Sequence, residues 1–252
     1  MAERLSGKRI FLTGAAQGIG LAIAEACLAE GARLFLVDQD GELLNKTAAG
    51  LAASKGDVGH ATADISDGAA IHAAVQQATA EIGPINALIN NAGMNVFSTP
   101  LEATEEEWNR NFDVNVKGAW NCSKAVLPGM IASGGGAILN IASTHSFTII
   151  PHTFPYPVAK HALLGLTKSL ALEYAGQGVR VNALAPGYVE TDFNRDFFQT
   201  EKGQEMIRRI PSRRLTPMQD LAEPLILLAG DGGASITGVV LPVDAGHLLS
   251  SL

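Results

Sequence analysis

The sequence predicts one α/β domain: a doubly wound parallel sheet of about seven strands with helices on both faces. Three observations carry this. Short apolar runs alternate with longer runs of helical period, the order that builds parallel sheets. The short runs lack an in/out alternation, as strands buried on both faces do. No linker, repeat or low-complexity stretch divides the 252 residues, which suffice for one large domain.

The elements follow in order. "RIFLT" (9–13), "RLFLV" (33–37), "INALIN" (85–90), "AILNIA" (137–142) and "VRVNALA" (179–185) are strands bounded by Gly, Pro, Asn or Asp. "VGHATA" (58–63) and "VVLPV" (239–243) are weaker strands of the same kind. A helix spans 19–31, with Gly31 as its stop. Another spans 67–83 and starts near Asp67. The longest spans 103–134, where Thr104 followed by Glu107 makes a capping box.

Composition narrows the function. A net charge of −7 argues against a nucleic-acid footprint. The two cysteines, Cys27 and Cys122, lie in apolar helical stretches without paired spacing, so neither a disulfide framework nor a metal site is expected. No stretch has the apolar length of a membrane span, and the N-terminus does not read as a signal peptide. A cytoplasmic protein with no membrane partner is the expectation.

"TGAAQGIG" (13–20) joins the first strand to the first helix. Gly14, Gly18 and Gly20 suit a tight turn, close backbone approach to a pyrophosphate and close helix–sheet packing. The free N–H groups of the helix start would face the phosphates. The spacing is G-x-x-x-G-x-G, and alone it also fits a plain strand-to-helix turn. Asp38 closes the second strand, where an acid can bond a ribose 2′-hydroxyl and repel a 2′-phosphate. No Lys or Arg stands in the loop or directly after Asp38, so NAD is favoured over NADP. Asp40, two residues on, competes for the role.

"FPYPVAKHALLGL" (154–166) places Tyr156 and Lys160 four apart at the mouth of a helix. Positions i and i+4 share a face. A free phenol ionises near pH 10, too high for a base at neutral pH, and a nearby cation favours the phenolate. Pro157 is tolerated in a first helical turn. Ser143, just past a strand, could donate to a substrate oxygen.

These motifs run end to end: T-G-x-x-x-G-I-G at 13–20, Asp64 in "ADIS", "NNAG" at 90–93, "NVKG" at 115–118, Ser143, Y-x-x-x-K at 156–160 and "PGYVET" at 186–191. In this order the chain resembles the short-chain dehydrogenase/reductase family, whose fold is Rossmann-like. The resemblance implies a cofactor half at about 1–135, a catalytic half at about 136–252 and a lid at about 191–215. It implies Tyr156 as general acid/base, Lys160 lowering its pKa and holding the nicotinamide ribose, and Ser143 orienting the substrate oxygen. Asn115 would hold a water in a proton relay through Lys160. Gly14, Gln17, Gly18, Ile19, Gly20 and Asp38 would contact the cofactor, and Asp64 and Ile65 would flank its adenine. Asn91, Ala92 and Gly93 would line its middle. Pro186, Gly187, Val189 and Thr191 would meet the nicotinamide and phosphates. Ala245 departs from the family's common glycine, Ala159 from its frequent serine, and Pro157 is less usual there. The family also implies a homotetramer.

Asn95, His145, His152 and Tyr188 are the candidate substrate contacts, and their polarity favours a small hydroxylated substrate. Arg195, Arg208, Arg209, Arg213 and Arg214 stud the lid, where one could clamp a carboxylate or all could be a solvated face. The expected activity is NAD-dependent oxidation of a small sugar, sugar acid or polyol, to which part of the chain is similar. Reduction of 3-oxoacyl thioesters is the alternative, disfavoured by Asp38. A catalytically silent nucleotide-binding sensor or scaffold is the alternative of another class.

Overall fold

The computed structural model describes residues 3–55, 57–191 and 194–250. Its strands are β1 (Arg9–Thr13), β2 (Arg33–Asp38), β3 (Val58–Thr62), β4 (Ala87–Asn90), β5 (Gly136–Ile141), β6 (Val179–Pro186) and β7 (Val240–Val243). They form one seven-stranded sheet in the order β3-β2-β1-β4-β5-β6-β7, every neighbour parallel.

Alternate residues of each strand feed two cores. Ile10, Leu12, Leu34 and Leu36 join Ile23 of α1 (Gly18–Ala29), Leu44 of α2 (Gly41–Lys55) and Leu225 of α9 (Ala222–Ala229). Phe11, Phe35 and Leu88 join Ile71 of α3 (Gly68–Ile82), Met130 of α5 (Ala119–Ala132) and Ala171 of α6 (Tyr156–Tyr174). Phe11 stacks on Phe35 with ring centres 5.8 Å apart. Both faces are therefore dry, which is why the strands show no alternation of polarity.

Local chemistry sets the helix ends. Gly31 follows α1 at φ 82°. Asp67 accepts the amides of Ala69 and Ala70 to cap α3. Thr104 and Glu107 close the capping box of α4 (Glu105–Phe112). The long run 103–134 is not one α-helix. A π-helical segment, Asp113–Gly118, separates α4 from α5. Inside it the Asn115 side chain donates through Nδ2 to the Asn111 carbonyl at 3.0 Å, and Gly118 lies so close to Ile65 that it has no room for a Cβ. Such segments widen a helix locally and recur at functional sites.

Asp40 accepts the Leu43 amide at 3.0 Å and so starts α2, a helix whose small residues give it little sequence signal. The lid region holds α7 (Arg195–Gln199) and α8 (Glu201–Arg209); Asp192 and Phe193 within it lie outside the described residues.

Strand order reverses between β1 and β4. At such a switch point the loops leaving the two strands diverge to opposite faces and open a crevice at the carboxyl edge.

Candidate active site

Two stitches shape the crevice. The Thr13 hydroxyl accepts the amides of Asn91 and Ala92, each at 3.1 Å. The Asn91 side chain donates to the carbonyls of Thr13 and Gly14 at 3.1 and 2.9 Å. Asn91 therefore holds the glycine loop, and its amide hydrogens are committed to that task. Gly14 takes φ 63°, and a Cβ there would lie 2.7 Å from the Ala92 Cα. Gly18 takes φ 57° with open space above it. Gln17 precedes α1 without capping it, so the first amides of the helix stay available to an anion.

The Asp38 carboxylate accepts the amide of Ala16 at 3.0 Å and that of Asp40 at 3.1 Å. It is anchored at the floor of the glycine loop. Asp40 accepts the Leu43 amide as a cap, whereas Asp38 faces the glycine loop itself. Asp64 accepts the amide and hydroxyl of Ser66 and the Arg110 guanidinium at 2.8 Å. Burial pushes its pKa up, but these hydrogen bonds outweigh burial and hold the carboxyl below its ordinary range. Arg110 also reaches Gln39 at 3.1 Å. Ile65 is buried, with its carbonyl bonded by Asn121 at 2.9 Å.

On the other side of the switch, a buried polar chain positions α6. Asn90 donates to Asn140 at 2.8 Å, Asn140 to Thr167 at 2.9 Å, and Thr167 to the Leu163 carbonyl at 2.8 Å. It ties β4 and β5 to the helix that begins at Tyr156. Lys160 is 4% exposed and donates to the Ile141 carbonyl at 2.9 Å. Two of its three N–H groups have no partner among the described residues. Gly93 sits against this pair: a Cβ there would lie 2.9 Å from Asn115 Oδ1 and 3.4 Å from Lys160 Nζ. Ser143, extended beyond β5, accepts the His145 amide at 3.1 Å and stands close enough to the Tyr156 phenol to pull its pKa down. The structure thus brings together Asn115, Ser143, Tyr156 and Lys160.

The electrostatics differ from expectation in one respect. Burial pushes the Tyr156 phenol up, with Ser143 pulling it partly back. Burial pushes Lys160 down to about 8. The ammonium stands 5.6 Å from the phenol ring centre and does not offset burial there. Desolvation disfavours both charged forms at once.

The candidate substrate contacts divide. His145 is 8% exposed and meets the Tyr156 ring edge-on at 5.9 Å. Tyr188 meets His145 at 6.5 Å and Phe198 at 6.0 Å. Asn95 and His152 are exposed, and His152, at φ 62°, lies near Glu102, whose carboxyl the Thr99 hydrogen bonds hold below its ordinary range. Three lid arginines face carboxylates: Arg195 with Glu190, Arg209 with Glu205 and Arg214 with Asp220. Arg208 and Arg213 are exposed. Gly187 bonds the Val243 carbonyl at 3.0 Å, buried Val189 bridges Thr216, and the Thr191 amide donates to Asn194 at 2.8 Å.

The family model described as enoyl-(acyl carrier protein) reductase matches residues 14–247. The chain is 38% identical to the oxidoreductase UcpA of Salmonella typhimurium, over 98% of this chain and 96% of that one. The chain belongs to the short-chain dehydrogenase/reductase family. Within that family of nicotinamide-dependent oxidoreductases it is 34% identical to the D-threitol dehydrogenase of Mycolicibacterium smegmatis, over 98% of this chain and 95% of that one. A gluconate 5-dehydrogenase from Burkholderia cenocepacia, solved with NADP and tartrate, superposes with a TM-score of 0.93 at 32% identity, covering 99% and 98% of the two chains.

Family membership accounts for the cradle just described, and the residues present fit a dinucleotide. Gly18 leaves open space, the start of α1 leaves free amides, and Lys160 leaves free donors. Sequence reasoning missed the supporting residues. Asn140, Thr167 and Arg110 act through tertiary contacts 27 to 50 residues apart, which carry no local pattern, and Asn90 stood in "NNAG" without a role of its own. His247, which packs on Tyr188 at 4.9 Å, was likewise not marked by its neighbours in sequence.

Proposed function

We propose that the protein is an NAD-dependent dehydrogenase that moves hydride between the secondary carbinol of a small polyol or sugar and its cofactor. The observation that carries the reading is the convergence of Asn115, Ser143, Tyr156 and Lys160 at the carboxyl edge, next to Gly93. The cofactor half holds the glycine cradle, the catalytic half holds Tyr156, and the segment at about 191–215 acts as lid.

In this reading the glycine loop, Asp38 and Lys160 would hold a nicotinamide dinucleotide, which would supply the hydride chemistry. Tyr156 takes the hydroxyl proton during oxidation and returns it during reduction. Ser143 donates to the same oxygen and fixes its position. Lys160 would offer its remaining N–H groups to ribose hydroxyls, and its charge favours the phenolate too weakly in this geometry to offset burial. Asn115, bonded through Nδ2 to the Met94 carbonyl at 2.8 Å, presents Oδ1 on the Lys160 side and holds the relay water. Asp38 accepts from the adenosine ribose and repels a 2′-phosphate, which supports NAD although a related structure holds NADP. Arg110, the guanidinium that reaches Gln39, is already engaged by Asp64.

Names of relatives support the substrate class: one is a threitol dehydrogenase and another a galactitol 2-dehydrogenase. The description of the matching family model favours a second reading, reduction of the carbon–carbon double bond of an enoyl thioester, alongside the 3-oxoacyl alternative. Assembly as a homotetramer would cover exposed apolar groups such as Trp120 and Leu172. The test is reduced-cofactor formation with NAD or NADP across polyols, aldoses and sugar acids, with a 3-oxoacyl and an enoyl thioester run with reduced cofactor as controls. Thioester reduction without polyol oxidation would sink the reading.

A further inference from the structure

The wall beyond Tyr156 is a row of rings. Tyr156, His145, Tyr188 and His247 follow one another with centre spacings of 5.9, 6.5 and 4.9 Å, each pair edge to face. The last ring comes from the turn after β7.

That turn is held in place. Ala245 and Gly246 are both left-handed, at φ 55° and 85°. The Asp244 carboxylate accepts the amides of Gly246 at 3.0 Å and Leu248 at 2.8 Å. The Asp244 carbonyl accepts the His247 amide at 3.0 Å. Gly187, the residue before Tyr188, lies so close that a Cβ on it would be 2.7 Å from the Asp244 Cα. Gly246 meets Pro211, at the end of the lid. The turn is thus locked to the loop that carries Tyr188 and to the lid.

The His247 ring has two unlike nitrogens. Nδ1 is sealed from solvent and has no hydrogen-bond partner among the described residues. Nε2 is not sealed, and the ring is partly exposed. A proton on Nδ1 would create a buried, unsatisfied N–H, so the ring keeps its proton on Nε2 and stays neutral. Burial acts in the same direction on its pKa, with Asp244 opposing. One neutral N–H donor therefore stands at the open edge of the ring row.

We propose that the C-terminal turn completes the substrate site, with His247 Nε2–H donating to a hydroxyl of the polyol beyond the carbon being oxidised. This rests on the polyol reading above. A neutral donor suits a hydroxyl oxygen better than a carboxylate, and the lid arginines with carboxylate partners face Glu190, Glu205 and Asp220. His247 then acts as a specificity residue for uncharged polyols over sugar acids.

The experiment compares kcat and KM for a four-carbon tetrol and for butan-2-ol in wild type, H247F and H247Q. Glutamine keeps an N–H near the position of Nε2, and phenylalanine keeps the ring and removes the donor. H247F should lose roughly ten- to hundredfold in kcat/KM on the tetrol, mainly through KM, and the loss on butan-2-ol should be at least about tenfold smaller. H247Q should recover most of the tetrol loss. Equal losses on both alcohols, or no loss on the tetrol, overturn the role of His247 while the polyol reading stands. A wild type that oxidises butan-2-ol but no polyol, or neither, overturns both.

Discussion

Removing the Lys160 charge should change how stability depends on pH, and the sign follows from burial. Burial pushes the Lys160 ammonium down to about 8 from the 10.5 of an ordinary lysine. Between those values the unfolded chain binds more protons than the folded one, so stability rises with pH there. The cost of burying the charge is fully present below the folded pKa, on the order of 3 kcal/mol. It fades as pH approaches the unfolded pKa. Lys160→Met removes this cost but leaves the Ile141 carbonyl without its donor, which costs about 1–3 kcal/mol. Near neutral pH the variant should therefore lie within about 2 kcal/mol of wild type. Cys27 and Cys122, pushed up to about 12, and Tyr156 pull the other way at alkaline pH. The readout is therefore the difference between variant and wild type, in which those groups cancel. Urea unfolding from about pH 7.5 to about pH 9.5 should show wild type gaining about 2 kcal/mol on the variant. A difference that is flat with pH, or that runs the other way, would refute the claim of a costly buried ammonium.

Three further outcomes follow from the geometry. Asp38→Ser should lower kcat/KM for NAD by roughly ten- to hundredfold and narrow the preference over NADP, measured by steady-state kinetics with both cofactors. Gly93→Ala should force Asn115 and Lys160 apart, because its Cβ would stand 2.9 Å from Asn115 Oδ1; turnover should fall by at least about tenfold while far-ultraviolet circular dichroism stays unchanged. Ala245→Gly relieves a left-handed alanine at φ 55°, and the gain is reduced by the greater freedom of glycine when unfolded. A melting temperature about 2 °C higher is expected by calorimetry.

The sheet was legible because its strands are short, apolar and punctuated. All seven predicted strands fall within two residues of the observed ones. The caps at Asp67 and Thr104 were legible because they act within three residues. The π segment was not, because helical periodicity does not record a local change of hydrogen-bond pattern such as the side-chain bond from Asn115 to the Asn111 carbonyl. The four central residues came from motif order, and the structure brings them together. The fine electrostatics could not be read that way: i and i+4 spacing says that Tyr156 and Lys160 share a face, but not that burial outweighs their attraction. His152 and His145 look alike in sequence. Only the turn geometry places one in the buried row and the other in the open beside Glu102.

The measurement closest to the central claim is cofactor reduction by wild type and Tyr156→Phe on the polyol that wild type oxidises best, with NAD binding followed in parallel. The account predicts that the variant binds NAD as wild type does and loses turnover by at least about a thousandfold. Turnover within about tenfold of wild type would contradict it, because the proton would then leave by a route that does not need the phenol.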